Sequence, residues 1–204
     1  MTSSLNLHPI TAASFAVIDS EIGVHAWSPA EYAIIRRVIH ATADFDFNQL
    51  FEFSHGAITA GVAALKSDIP VITDVQMVTV GIVGRLARIG HQNAYCAIDN
   101  APEVPPPSQT RTEVGMRGLA RRYPEGLFVV GNAPTALLAL ADMIQTGEIS
   151  PALVIGVPVG FVAVKDAKAA IAATSVPHII VRGRKGGSSV AAAIVNALVH
   201  LAYE

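Results

Sequence analysis

Val181-Arg-Gly-Arg-Lys-Gly-Gly-Ser-Ser-Val190 joins a short apolar run to an alanine-rich one through three glycines, three cations and two serines. Gly183, Gly186 and Gly187 let backbone N–H groups approach a ligand with no Cβ in the way. A helix opening at Ser188 aims its unpaired N–H groups and its positive end at the same ligand. Arg182, Arg184 and Lys185 add mobile positive charge. This is the chemistry of polyanion binding. No Gly-Lys-Ser/Thr follows a first glycine at the spacing of a Walker loop, so a carboxylate-bearing substrate fits better than a nucleotide. The competing reading is a solvated basic turn.

His40 is the candidate proton donor. It lies in Ile34-Ile-Arg-Arg-Val-Ile-His-Ala-Thr-Ala-Asp44. On a helix it shares a face with Arg36, Arg37 and Asp44. It falls in the last turn, where the helix dipole favours a cation, and histidine is the residue type suited to proton transfer near neutral pH. A surface histidine on an amphipathic helix is the alternative. His55 sits at a helix start, and His25, His91, His178 and His200 have no metal-ligand spacing. With Cys96 the only cysteine, no metal site and no disulfide framework is expected. There is no Gly-x-Ser-x-Gly nucleophile turn and no dinucleotide fingerprint. Gly131-Asn-Ala-Pro-Thr135 opens a helix directly after a strand. Pro134 suits the first helical position, and Asn132 or Thr135 can hydrogen-bond a ligand. Arg111, in Thr110-Arg-Thr112, can grip a carboxylate bidentately or be solvated.

These residues need a scaffold, and the apolar patterning names one. Short, largely non-alternating runs at Pro70–Val75, Asn93–Ile98, Leu127–Gly131, Ala152–Gly156 and His178–Val181 read as strands buried on both faces. Helical patterns separate them, at roughly Val78–Ile89, Gln109–Arg122, Pro134–Gln145, Val164–Ala173 and Ser188–Ala202. The alternation predicts an α/β fold: a five-stranded, mainly parallel sheet with helices on both faces. Residues 1–69 read as a helical segment packed on the 70–204 core, in one domain of 204 residues. Ser28-Pro-Ala-Glu31 is a capping box opening a helix to about Thr42, and a second helix runs from about His55 to Lys66. Ligands of such sheets gather at the carboxyl ends of the strands. Those ends are rich in glycine, proline and small polar residues, which predicts a broad, backbone-lined platform.

Composition narrows the classes. Hydrophobic residues make up 51% and charged residues 15% of the chain, which points to an apolar oligomer interface. A net charge of −2 argues against non-specific nucleic-acid binding. No apolar stretch is long enough to span a bilayer, and the N-terminus lacks the pattern of a secretory signal. A cytoplasmic protein without membrane partners is expected.

Six segments, in order, resemble the precorrin-8X methylmutase family, including its cobalt-precorrin-8 branch: Arg36–Asp44, Asp74–Val78, Thr110–Thr112, Gly131–Leu137, Pro151–Phe161 and Gly183–Ser188. Together they extend from about Ser14 to Leu198. Lys165-Asp-Ala-Lys168 departs from the family's usual Glu-Ser-Lys element. The resemblance implies an isomerase of corrin (cobalamin) biosynthesis that moves a methyl group between adjacent carbons of ring C, turning precorrin-8 into hydrogenobyrinate or its cobalt counterpart into cobyrinate. It implies a homodimer that binds the corrinoid at the shared interface and needs no redox or nucleotide cofactor. His40 matches the family's catalytic histidine, and Ser14 and Arg37 match positions associated with substrate binding. Charge and geometry add Arg111, Asn132, Thr135 and the Gly183–Ser188 loop, with Arg184 and Lys185. Two other classes stay open: a non-catalytic tetrapyrrole carrier, and an isomerase or transferase of a phosphorylated small molecule that uses the glycine loop for phosphate.

Overall fold

A computed structural model describes residues 8–203. Along the chain the elements are α1 (Pro9–Ile22), α2 (Pro29–Thr42), α3 (Phe47–Leu50), β1 (Phe51–Phe53), α4 (Ala57–Lys66), β2 (Val71–Thr73), α5 (Gln76–Arg88) and β3 (Ala94–Cys96). A 3₁₀ turn (Ile98–Asn100) follows, then α6 (Arg111–Arg122), β4 (Leu127–Val130), α7 (Pro134–Gln145), β5 (Leu153–Gly156), α8 (Val164–Ala172), β6 (His178–Val181) and α9 (Ser188–Tyr203). The strands form one sheet in the order β1-β6-β5-β4-β2-β3. All neighbours are parallel except β1, which pairs antiparallel with β6 at one edge.

Strand periodicity divides the apolar side chains between two cores. Val71, Leu127, Val129, Leu153, Ile155, Ile179 and Val181 face a core shared with α1, α2, α4, α5 and α9. Ile72, Phe128, Val130, Val154 and Ile180 face one shared with α6, α7 and α8. This explains why the strands read as continuous apolar runs: both faces are covered.

Helix α9 is the central rod of the first layer and packs on α2, α4 and α5. Its alanines allow close approach. A Cβ on Gly81 of α5 would fall 2.7 Å from the Ala192 Cβ.

Two elements depart from expectation. The sheet has six strands, because the stretch expected to be helical contributes β1, a three-residue edge strand too short to show alternation. The order of the helices also begins earlier, with α1. Only Phe15 and Ile18 of that helix are buried, while Ile10 and Val17 face outward, so it lacks an apolar stripe. Helix α2 opens on the expected capping box: the Ser28 hydroxyl accepts from Glu31 N–H, and the Glu31 carboxylate accepts from Ser28 N–H.

Candidate active site

His40 is exposed in the last turn of α2, and its ring stands perpendicular to the Phe15 ring with their centres 5.4 Å apart. The Arg36 guanidinium lies 4.4 Å from the same ring centre and that of Arg37 5.9 Å. Phe15 of α1 thus meets Arg37 and His40 at one corner, and Ser14 is its neighbour in the same helix. The Ser14 hydroxyl donates to Ile10 C=O at 2.9 Å. Arg36 does not face the corner as a free cation. It pairs with Asp19 of α1 at 2.8 Å, and Tyr32 O–H donates to the same carboxylate. Burial and that hydrogen bond push the Tyr32 hydroxyl up to about 12. The corner is therefore held by an α1–α2 clasp.

Asp44 is not on the His40 face of the helix. Helix α2 stops at Thr42, Ala43 adopts a left-handed conformation, and Asp44 lies beyond it. There it meets Lys185 of the glycine loop at 2.7 Å, and Asp46 meets the same ammonium at 2.6 Å. The Lys185 pair holds the Asp44 carboxyl below the ordinary aspartate value. Lys185, named above as a substrate-binding candidate, ties the glycine loop to the turn that follows His40. Arg182 makes a parallel tie: its N–H donates to Leu50 C=O at 2.8 Å, and its guanidinium donates to Gln49 C=O at 2.7 Å.

The loop between β6 and α9 depends on its glycines. Gly186 has φ +151°, and a Cβ there would collide with Val157 C=O. Gly187 N–H donates to that carbonyl at 2.8 Å, so it is engaged inside the protein. Ser188, the first residue of α9, is buried. Arg184 is exposed and stands over the Phe161 ring at 5.5 Å. Phe161 itself is 84% exposed, at the carboxyl end of β5.

Farther along the same edge, the Asp74 carboxylate organises the platform. Buried at the end of β2, it accepts from Val75, Gly131, Asn132 and Ala133 N–H at 2.7–3.1 Å. Burial raises its carboxyl above the ordinary aspartate value, and the four backbone donors oppose that. Ala133 is the N-cap of α7 and offers no side-chain hydrogen bond, so Asp74 satisfies the helix start from another strand. Asn132 is left with its side chain exposed. The Thr135 hydroxyl bonds the Thr110 hydroxyl at 2.7 Å. Arg111 donates to Pro102 and Ile98 carbonyls at 3.2 and 3.3 Å, which makes it a brace for the proline-rich loop.

Sequence reasoning missed Asp74 and Lys168. Lys168 is 2% exposed, and its ammonium donates to Gly183 C=O at 3.0 Å and Lys185 C=O at 2.8 Å. A signal existed: Val164, Lys168 and Ile171 follow helical spacing, which puts a lysine on the buried face of α8. Among the described residues, no group of three or more His, Cys, Asp or Glu side chains is placed to hold a metal ion, and no helix is long and apolar enough to cross a membrane.

Residues 9–201 match the family described as CbiC, precorrin-8X methylmutase. The chain belongs to the precorrin-8X methylmutase family. Within it, the chain is 47% identical to the cobalt-precorrin-8 methylmutase of Synechocystis sp., over 96% of each chain. It is 40% identical to the precorrin-8X methylmutase of Pseudomonas aeruginosa, over 91% of each. The crystal structure of the precorrin-8X methylmutase of Thermus thermophilus superposes with a TM-score of 0.86 at 40% identity, covering 96% of this chain and 98% of that one. The α/β fold described above is thus the methylmutase fold.

Proposed function

We propose that the chain is the isomerase of corrin biosynthesis that shifts a methyl group between adjacent ring-C carbons of precorrin-8 or its cobalt form, with His40 as the proton donor. The observation that carries this reading is an exposed histidine at the end of α2, tied by Lys185 to a cationic glycine loop, in a chain of this family.

The reaction is a rearrangement. The carbon–methyl bond at one ring carbon breaks as the bond to its neighbour forms, the ring double bonds shift to match, and no atom is gained or lost. Protonation of the macrocycle by the His40 imidazolium makes the receiving carbon electron-poor, and the proton returns to His40 when the product forms. General acid catalysis of this kind contributes roughly 10²–10⁴-fold. The carboxylate-rich substrate is met by Arg37 and Arg184, and its apolar faces by Phe161 and the neighbouring valines. Arg111 braces the proline-rich loop, and Lys185 ties the glycine loop to the turn after α2. Ser14, Asn132 and Thr135 offer polar contacts along the platform.

The test is a visible spectrum during incubation with metal-free and with cobalt-containing precorrin-8. Conversion of either form supports the reading. Tight binding of the coloured product with no turnover by the wild type would favour a carrier.

A further inference from the structure

We propose that Lys168 is a positioning residue for methyl transfer, holding the Gly183–Gly187 loop in register with the end of α2 that carries His40. This rests on the function proposed above.

Helix α8 lies in the opposite layer from α2. Its buried face is apolar except for Lys168. An ammonium in such a place is a poor choice for stability, since desolvating a charge costs several kcal/mol and an apolar side chain of similar size packs at no such cost. Its two bonds show where it acts. It reaches past the carboxyl end of β6 to the Gly183 and Lys185 carbonyls. These flank Arg184, whose guanidinium is turned outward onto Phe161.

Lys185 completes the connection. Its carbonyl is held by Lys168, while its own ammonium holds Asp44 and Asp46. The route from α8 to α2 therefore runs through one residue of the loop. Left-handed or glycine-only backbone at Gly183 (φ +77°) and Gly186 (φ +151°) leaves that loop few restraints of its own. Gly160 N–H to Arg184 C=O at 3.2 Å is a further strap from the β5–α8 connection. Burial pushes the Lys168 ammonium down to about 8, in keeping with a charge kept in a dry place for its geometry. Misplacing a reacting group by about 1 Å costs on the order of 10²-fold in rate, so slack in this brace is read in turnover.

The experiment compares full-length wild type, Lys168→Met, Lys185→Met and the double variant. It reads kcat on precorrin-8, thermal midpoint, and hydrogen exchange at residues 183–187 and 43–46. The expected result is a kcat at least about tenfold lower in each single variant, with the double variant no slower than the slower single. Exchange should rise at both segments in Lys168→Met, with the midpoint within about 5 °C of wild type. Lys168→Gln, which keeps a donor, substitutes if the methionine variant does not fold. An unchanged kcat, rate losses that multiply in the double variant, or exchange confined to the 183–187 segment would overturn the brace. Should wild type itself turn over neither form of precorrin-8, the functional reading fails, and the exchange at the two segments still decides the brace.

Discussion

His40 is exposed and packs against the Phe15 ring, so removing its imidazole deletes a proton donor without opening a cavity. His40→Ala is expected to nearly abolish turnover while product still binds, because binding is spread over many groups of the platform. Single-turnover kinetics and product titration check this, and turnover comparable to wild type would sink the assignment. Arg184→Ala is expected to weaken product binding by about 1.5–3 kcal/mol, the cost of one charged hydrogen bond, with little effect on folding, since its side chain is exposed and lies over an exposed ring. Lys168 gives a pH signature. Its ordinary value is 10.5 and its folded value about 8. Between these, the unfolded chain holds the proton and the folded chain does not, so stability from this group rises with pH across that window and is lost as pH falls to 8. Glu52, Lys165 and Arg182 line the same cleft and remain in both proteins compared. Urea unfolding of wild type against Lys168→Met should show the difference moving in favour of wild type by up to on the order of 2–3 kcal/mol between pH 8 and 10.5. A pH-independent difference would refute the buried-ammonium account.

At the scale of elements, the site depends on connections that meet edge-on. The Gly183–Gly187 loop passes so near the β5 end that Gly186 has no room for a side chain. Gly186→Ala is expected to cost on the order of 2–4 kcal/mol, from the collision with Val157 C=O together with the backbone strain, and to lower turnover with it. A thermal midpoint equal to wild type would show that the loop simply relaxes. Helices with a sharp chemical start were legible in the sequence. Pro134–Gln145 and the Ser28 capping box appear where the pattern puts them, as does the strand His178–Val181. Helix α1 was not legible, because its docking depends on the Asp19 clasp with Tyr32 and Arg36, and a clasp leaves no periodic trace. Strand β1 was hidden by its length. In the site, residue types were legible and partners were not. Arg111 and Lys185 read as ligand-gripping cations, yet nearby carbonyls in one case and carboxylates in the other engage them first. Pairing across more than a hundred residues, as between Asp44 and Lys185, has no local signature.

For the whole molecule, the question is what covers the apolar surface left at the strand ends. Met77 and Val80 of α5 are 74% and 72% exposed, and they line an apolar hollow of about 460 Å³ with Gly81, Ser189 and Ala192. Ser188, at the root of that hollow, is also the last residue of the glycine loop, so the hollow borders the candidate site. Phe161 and Val162 extend the exposed apolar surface from the β5 end. A platform open on this side cannot bury a tetrapyrrole by itself, since ligand pockets enclose most of their ligand's surface. The family resemblance implies a homodimer, and a second copy of the chain would close the platform. Replacing Met77 and Val80 together by Glu should therefore drive the protein to monomer and weaken product binding in the same concentration range, because charged groups at the centre of an apolar interface are strongly disfavoured. Product should in turn stabilise the wild-type dimer, since a ligand that prefers the assembled state shifts the equilibrium towards it. Sedimentation with and without product measures both effects. A monomer that binds product with undiminished affinity at high dilution would rule the shared cleft out and leave each subunit with a complete site of its own.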